Sequence, residues 1–389
     1  MAQQRVRVLE ILEATVGGTR THLRHLLSRI DLERFDVTLA FSNERDPYFS
    51  ADLKAFKHRG VTLIEVPMKR EISPWCDLVA FFRLLNTIRK GRYDIVHTHS
   101  SKAGFLGRIA ARLCRVPRVF YSPHAFAFQC NPESLSSRFY LFLEKVVSRF
   151  QNGLICVSEG ERQIALKHGL GKPDHTYMIP NTISTGDIHP TRSPDVVRSE
   201  LGIPASTLVV GMVAHFRPQK GYKHFIRAIP LVLSRLPETR FLLLGDGPEL
   251  PEVANLVRSL NVEKSVILAG HREPLGDYYQ VMSVFALSSL WEGMPYVILE
   301  AMAVGLPIVA TNIVGNNELV VNNQTGFLVP IGDSQSIADC LIALLENDDK
   351  RCGFGQAARE TAKDRSSIDN WIRAYESLYS HTIDSSAQS

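Results

Sequence analysis

Short apolar runs rich in β-branched and aromatic residues alternate along the chain with longer stretches of helical periodicity. In the first half VRVLEIL, FDVTLAF, VTLIEVP, YDIVHTH, RVFYSPH and GLICVSE read as buried strands. Between them THLRHLLSRI, DLVAFFRLLNTIRKG and AGFLGRIAARLC read as helices. Strand–helix alternation of this kind implies a parallel sheet with helices on both faces. From Asn181 to Pro194 the stretch NTISTGDIHPTRSP is polar, rich in Ser, Thr and Pro, and without period, so it reads as a linker. The pattern then restarts with LVVGMVAHF, RFLLLGDG, SVILAGH, SVFALSS, PIVATN and GFLVP. Near the end, Ile368, Trp371, Ile372, Tyr375 and Leu378 recur at helical spacing, which predicts an amphipathic helix packed on the body. The last residues, DSSAQS, should fray.

At 389 residues the chain is too long for one ordinary core. The expected architecture is α/β: two doubly wound, Rossmann-like domains facing each other across a cleft. Their expected bounds are residues 1–185 and 195–365, with residues 366–389 forming a helix that returns to the first domain and a frayed tail. Such sheets bind ligands at the carboxyl ends of their strands. Hydrophobic content of 45% and charged content of 22% are those of a soluble globular protein. No apolar run reaches the roughly 18 residues that span a bilayer, and MAQQRVRVLEILE enters a strand without the regions of a signal peptide. The six cysteines are scattered, without a C-x-x-C or zinc spacing, and read as reduced thiols of a cytoplasmic protein. Charge is uneven: residues 1–190 hold 27 Lys+Arg against 18 Asp+Glu, residues 191–389 hold 17 against 22. A basic first half points to an anionic partner such as a membrane surface, a lipid phosphate or a nucleic acid.

Candidate chemistry gathers where strands end. In EATVGGTRTHL, Gly17 and Gly18 precede a helix, where backbone N–H groups meet phosphate or a polar substrate, although the dinucleotide fingerprint is absent. His97 and His99 alternate at a strand end and are expected to face opposite sides in structural hydrogen bonds, while His124, after Pro123, is the likeliest functional histidine at its sheet edge. His215, Arg217 and Lys220 cluster at a turn before a helix, as a diphosphate site requires. Gly245, Asp246 and Gly247 mark another turn, and Gly270, His271 and Arg272 a third. Glu292 and Glu300 frame LWEGMPYVILEAMAVGLPIVAT, about two helical turns apart, a spacing that brings both toward one side. No D-x-D triplet follows an apolar strand, so no catalytic metal is expected and the cationic turn takes its place.

These residues resemble glycosyltransferase family 4, a family of retaining GT-B enzymes, along nearly the whole chain. GGTRTHL, DIVHTHSSKAGFLGRIAA, SPHAF, VSEGE, IPNTI, RPQKG, LLLGDGPE, EGMPYVILEAMAVGLPIVAT, GNNE and TGFLVPIGD fall in family order, and EGMPYVILEAMA with TGFLVPIGD is the most specific pair. The resemblance is to bacterial enzymes of exopolysaccharide, capsule or lipid-linked glycan synthesis. It implies His124 and Glu292 as catalytic residues, with Glu292 on the donor sugar hydroxyls and Glu300 on the ribose. It implies a diphosphate at the amides of Met294, Tyr296 and Val297, beside Gly293 and Pro295, with Lys220 and Arg217 neutralising charge. Gly17, Gly18 and Arg272 complete the implied donor site. Two departures stand out: His215 occupies the place of the family's usual Arg, and Pro295 replaces a Gly whose N–H it lacks.

The implied reaction moves a sugar from a nucleoside diphosphate sugar, UDP-linked, to an acceptor hydroxyl by front-face attack, without cofactor or metal. The acceptor would be a glycan, lipid-linked or small molecule, and nucleic acid is not an expected partner. The enzyme would be cytoplasmic, peripheral on the inner face of the membrane, and FYLFLEKVVSRF with Arg138, Lys145 and Arg149 is a candidate contact with anionic lipid. Two alternatives make other predictions. A sugar-nucleotide epimerase of the same fold would isomerise donor without acceptor, and a non-catalytic subunit would bind donor without turnover.

Overall fold

The computed structural model describes residues 5–44, 48–130 and 133–384. The chain forms two compact units, Met1–Asn181 with Asp369–Ser389, and Thr182–Ile368.

The first unit alternates strand and helix from its start. Its elements are β1 (Val6–Leu12), α1 (Gly18–Arg29), β2 (Phe35–Phe41), α2 (Phe49–Arg59), β3 (Thr62–Glu65) and α3 (Pro74–Gly91). They continue with β4 (Ile95–His99), α4 (Ser101–Leu113), β5 (Arg118–Ser122), α5 (Leu135–Val147), β6 (Gly153–Cys156), α6 (Glu159–Lys167) and β7 (Thr176–Met178). The sheet runs β3-β2-β1-β4-β5-β6-β7, all pairs parallel. Its strands are apolar on both faces because helices cover both, and Leu9, Ile11, Val96 and Val119 are fully or nearly fully buried.

The second unit holds α7 (Pro194–Glu200), β8 (Val209–Val213), α8 (Tyr222–Leu233), β9 (Arg240–Leu244), α9 (Leu250–Ser259), β10 (Val266–Gly270) and α10 (Gly276–Tyr279). After β11 (Val284–Leu287) come α11 (Tyr296–Ala303), β12 (Ile308–Thr311), α12 (Asn316–Leu319), β13 (Gly326–Val329), α13 (Ser334–Leu345) and α14 (Asp348–Arg365). Its parallel sheet runs β10-β9-β8-β11-β12-β13. Counted within each unit, the strand order is the same, 3-2-1-4-5-6, with β7 added at one edge of the first. Two doubly wound parallel sheets are therefore present, as the alternating pattern predicts.

α15 (Ile368–Asp384) belongs to the first unit. Of the expected apolar stripe Trp371, Ile372 and Tyr375 are buried, Ile368 and Leu378 are half-buried, and Tyr379, outside the expected stripe, is buried as well. The Glu376 carboxylate accepts from the Asp31 amide at 2.9 Å and ties the helix to the end of α1. The frayed tail expected from Asp384 onward falls, from Ser385, outside the described residues.

The stretch read as a linker is built into the second unit instead. Ile183 and Ile188 are buried, and the Asp277 carboxylate accepts from the Thr191 amide at 2.5 Å and from Arg192 Nε at 2.7 Å. Asp277 is itself fully buried, and a buried carboxylate needs such donors. One aspartate far along the sequence thus fixes a segment that looks unstructured by composition.

Candidate active site

In an open parallel sheet the loops leaving neighbouring strands diverge where strand order reverses, which opens a crevice at their carboxyl ends. In the second unit that point lies between β8 and β11. The loop after β8 carries His215, Arg217 and Lys220, and the loop after β11 carries Ser289 and Glu292. Lys220 Nζ meets Glu292 Oε1 at 2.5 Å. Ser289 Oγ donates to the same oxygen at 2.7 Å, and Gln219 Nε2 lies 3.4 Å from the other. Glu292 is nearly buried, so three donors stand in for the water it has lost.

The backbone explains how the two loops stay together. Lys220 ends the single 3-10 turn Pro218–Lys220, and Gly221 follows with φ 60°. A Cβ on Gly221 would sit 2.2 Å from the Ser288 carbonyl oxygen, so only glycine lets the loops touch. Ser288 Oγ donates to the Lys220 carbonyl at 3.0 Å, and the Leu290 amide donates to the Gln219 carbonyl at 2.7 Å. Gly245 needs the same freedom, because a Cβ there would lie 1.9 Å from the Ala214 oxygen. That approach sets Asp246 Oδ1 2.9 Å from His215 Nδ1. Arg217 is half-buried at the head of the 3-10 turn. Tyr222, first in α8, is buried, and its hydroxyl has no hydrogen-bond partner among the described residues.

Gly293, Met294 and Pro295 form a buried turn before α11. Pro295 is the N-cap, where a helix has no bond to make with that amide, so the proline costs the helix nothing. Tyr296 and Val297 open the helix. Glu300 lies one turn inside it and accepts from the buried Tyr279 hydroxyl at 2.8 Å. Burial first, and then the Glu300 charge, push the Tyr279 hydroxyl pKa well up, so it stays a donor. The two glutamates are therefore not related by helical spacing, as expected from sequence, because the helix starts at Tyr296, between them. Their common origin is the carboxyl end of β11. Arg272 is exposed after β10, the edge strand, with β9 between it and β8. Its guanidinium donates to the His271 carbonyl, and the structure does not bring it to Lys220 or Glu292.

In the first unit the switch point lies between β1 and β4, where Glu10 pairs with His97 and Leu12 with His99. His97 and His99 do not face opposite sides. Residues two apart in a strand share a face, and their rings lie 4.0 Å apart. Glu10 Oε2 contacts His99 Nε2 at 2.8 Å and His97 Nδ1 at 3.2 Å, while Oε1 accepts from Tyr379 at 2.8 Å. His97 Nε2 lies 2.8 Å from Ser122 Oγ. His99 Nδ1 lies 3.0 Å from His124 Nε2, and the His22 ring crosses His124 at 4.5 Å. His22 Nδ1 reaches Asn181 Oδ1 at 3.2 Å.

Burial pushes the Glu10 carboxyl up, but the charges and hydrogen bonds of His97 and His99 more than reverse this and hold it well below the usual carboxylate range. Burial and His97 lower His99 to about 4 against the pull of Glu10. Burial and then His22 and His99 lower His124 well below its ordinary value. An ionised Glu10 requires a proton on His99 Nε2, which leaves Nδ1 to accept from His124 Nε2–H. His124 thus has a fixed tautomer. Its backbone is unusual too, with φ 54° at His124 and 87° at Ala125, held by the Ala125 amide donating to Glu161 at 2.7 Å. Two groups, His22 with His99 and His124, and Glu10 with His97 and His99, have ligand atoms within 4.8 Å of one another, the spacing a metal ion would need. Gly17 has φ 65° with open space around a Cβ, and caps α1, which Gly18 opens.

Sequence reasoning missed Glu10, His22, Tyr279 and Ser289. Glu10 alone carried a signal, a carboxylate inside an apolar strand.

Comparison with known proteins decides the family. Residues 17–182 match the glycosyl transferase 4-like domain, and residues 207–347 match glycosyl transferases group 1. The chain is 34% identical over 323 residues to the UDP-Gal:alpha-D-GlcNAc-diphosphoundecaprenol alpha-1,3-galactosyltransferase of Escherichia coli, covering 82% of this chain and 81% of that one. It belongs to glycosyltransferase family 4. This retaining glycosyltransferase is also 25% identical over 368 residues to the capsular polysaccharide biosynthesis glycosyltransferase CapM of Staphylococcus aureus, covering 92% and 96% of the two chains. Its fold is that of Anabaena Alr3699/HepE, solved in complex with UDP-glucose, with a TM-score of 0.81, 22% identity, and 98% and 100% of the chains covered. That is the GT-B fold. Relatives named as transferases count against the epimerase and the non-catalytic subunit.

Proposed function

We propose that this glycosyltransferase moves a sugar from a UDP-linked donor to a hydroxyl of a lipid-linked glycan acceptor, working as a peripheral enzyme on the inner face of the membrane. The observation that carries the reading is the Lys220–Glu292 pair at the β8/β11 switch point. It sets a cation and a carboxylate side by side, beside the start of α11, where departing diphosphate and sugar hydroxyls need opposite partners. Support for the uridine nucleotide and the lipid-linked acceptor comes from the names of the relatives.

In this reading Glu292 accepts from the donor sugar, Glu300 from the ribose, and Lys220 with Arg217 offsets the charge that develops on the diphosphate. Gly293, Met294, Tyr296 and Val297 line the phosphate path, without an amide from Pro295. Gly17, Gly18 and a neutral His124, hydrogen-bonding sugar rather than donating as a cation, serve from the first unit. Arg272 contributes least, given its place at the sheet edge. Lys220→Ala should lower kcat by ~100-fold or more, the scale on which one charge-stabilising group acts. A screen of nucleotide sugars by thermal shift should single out UDP-sugars, since saturation at 100 times Kd adds ~2.7 kcal/mol to native stability. Full activity in the Lys220 variant would defeat the phosphate assignment.

A further inference from the structure

We propose that the outer face formed by α3 and α5 of the first unit seats on an anionic bilayer. The inference deepens the lipid-linked-acceptor reading by naming the docking surface, but its evidence is independent of the acceptor. Along α3, Trp75, Leu78, Val79 and Phe82 recur at i, i+3, i+4 and i+7, a single helical stripe. All four are exposed, Trp75 at 80%. The helix already gives Ala80, Leu84 and Ile88 to the core, so the outer stripe covers nothing within the unit. Along α5, Leu135, Phe139, Phe142 and Val146 make a second exposed stripe, Leu135 at 80% and Phe142 at 60%. The inner side of α5 faces α4 through Glu144, whose carboxylate meets Arg108 at 2.7 Å. α4 packs against both α3 and α5, so the two stripes lie on one helical layer.

Charge selects the occupant. The exposed charged residues of α3 are Arg83, Arg89 and Lys90, and those of α5 are Arg138 and Lys145. The acids of these helices are engaged elsewhere, Asp77 with Lys102 at 2.6 Å and Glu144 with Arg108. Two exposed apolar stripes whose own helices expose only cations, with Glu71 and Glu133 exposed just before them, suit a bilayer with anionic headgroups, where aromatic side chains enter the interface and Lys and Arg meet phosphate. A second copy of the same face would set like charge against like. No helix among the described residues is long and apolar enough to cross a membrane, so the contact is superficial.

The full-length protein should cosediment with bare vesicles of phosphatidylethanolamine and phosphatidylglycerol at low ionic strength, and less as salt rises. Pure phosphatidylcholine vesicles should capture little. Trp75 should report entry directly: its emission shifts to the blue and loses acrylamide quenching with anionic vesicles, and Trp75→Phe removes that change while sedimentation persists. Paired Leu78→Ser/Phe82→Ser and Arg138→Glu/Lys145→Glu variants should each weaken partitioning by ~10-fold or more, with transfer to a water-soluble acceptor unchanged. Equal capture by neutral and anionic vesicles, or a Trp75 signal blind to lipid, overturns the proposal. So does a dimer in sedimentation velocity that the Leu78/Phe82 variant dissolves. Vesicle binding with no transfer to any acceptor would leave the surface standing and remove the functional reading instead.

Discussion

Acidification should unfold the first unit before the second, because the first is built around imidazoles that must stay neutral. His22 and His99 are fully buried and His124 is half-buried, and all are shifted down, His99 from 6.5 to about 4. In the window below 6.5 the unfolded chain takes up protons that the folded unit refuses, so stability is lost as pH falls. One such histidine costs about 1.4 kcal/mol per pH unit, ~3 kcal/mol for His99 across its window. Three acting together approach ~4 kcal/mol per pH unit, against the roughly 5–15 kcal/mol that holds a domain. Glu10 acts in the same direction lower down: its folded pKa is depressed, so the stability it adds above its ordinary 4.5 is lost as pH falls further. The first unit should therefore lose its structure near about pH 5. Hydrogen exchange from pH 8 to 5 reads this unit by unit, with peptides from β4 and β5 losing protection while those from β11 and β12 keep theirs. His22→Phe removes one titrating group and should lower the pH slope by about one proton. Parallel loss in both units, or a slope below one proton in the parent, would refute the argument.

Other perturbations read other parts of the molecule. Tyr279→Phe removes the hydroxyl that orients Glu300; we expect ~1 kcal/mol less stability and a raised donor KM with kcat little changed, measured by steady-state kinetics. Arg108→Met strands the Glu144 carboxylate under α5 and should cost ~3–5 kcal/mol in urea unfolding, whereas Arg108→Met with Glu144→Leu should recover most of it. Dialysis against EDTA should leave transfer intact, because both ring nitrogens of His97 and of His99 already meet protein partners. Loss of activity restored by a divalent cation would instead make the histidine cluster a metal site.

The sheets were legible because a parallel strand covered on both faces must be apolar along its length, and that leaves a run no other element imitates. Twelve of the strands stand where such runs stand. β7 escaped, since its three residues Thr176–Met178 form an edge too short to show a pattern. The Glu292, Lys220 and Gly293–Val297 cluster was legible from motif order, but the Lys220–Glu292 contact was not, for it depends on Gly221 allowing two loops 72 residues apart in sequence to touch. The histidine cluster was hidden for the same reason: Glu10, His22, His97, His124 and Tyr379 share no local spacing, and only the β1–β4 register and the return of α15 assemble them. The outer stripe of α3 has helical period too, but a period cannot say which of two apolar faces the core takes.

The same strand order, used twice, supports two opposite electrostatic solutions at its switch points. Between β8 and β11 the chain sets full charges against each other, Lys220 on Glu292, supported by Ser289 and Gln219. Such a pair keeps both groups compensated when no ligand is present, and in the proposed reading it exchanges partners when a phosphate claims the lysine and a hydroxyl the glutamate. Between β1 and β4 the chain buries one carboxylate and surrounds it with imidazole rings and a tyrosine hydroxyl. There the hydrogen bonds fix tautomers and nothing is left to exchange, so His124 is held in one orientation with one proton placement. Leaving-group stabilisation needs charge that can be re-paired, and sugar positioning needs a donor and acceptor pattern that does not change with the load. In the proposed reading Lys220 suits the first task, with Glu292 as its counter-ion before the donor binds, and His124 the second. Charge introduced at the first switch point, as in His99→Lys, should therefore destabilise its unit, whereas Lys220→Arg should leave the second folded and retain part of the transfer activity.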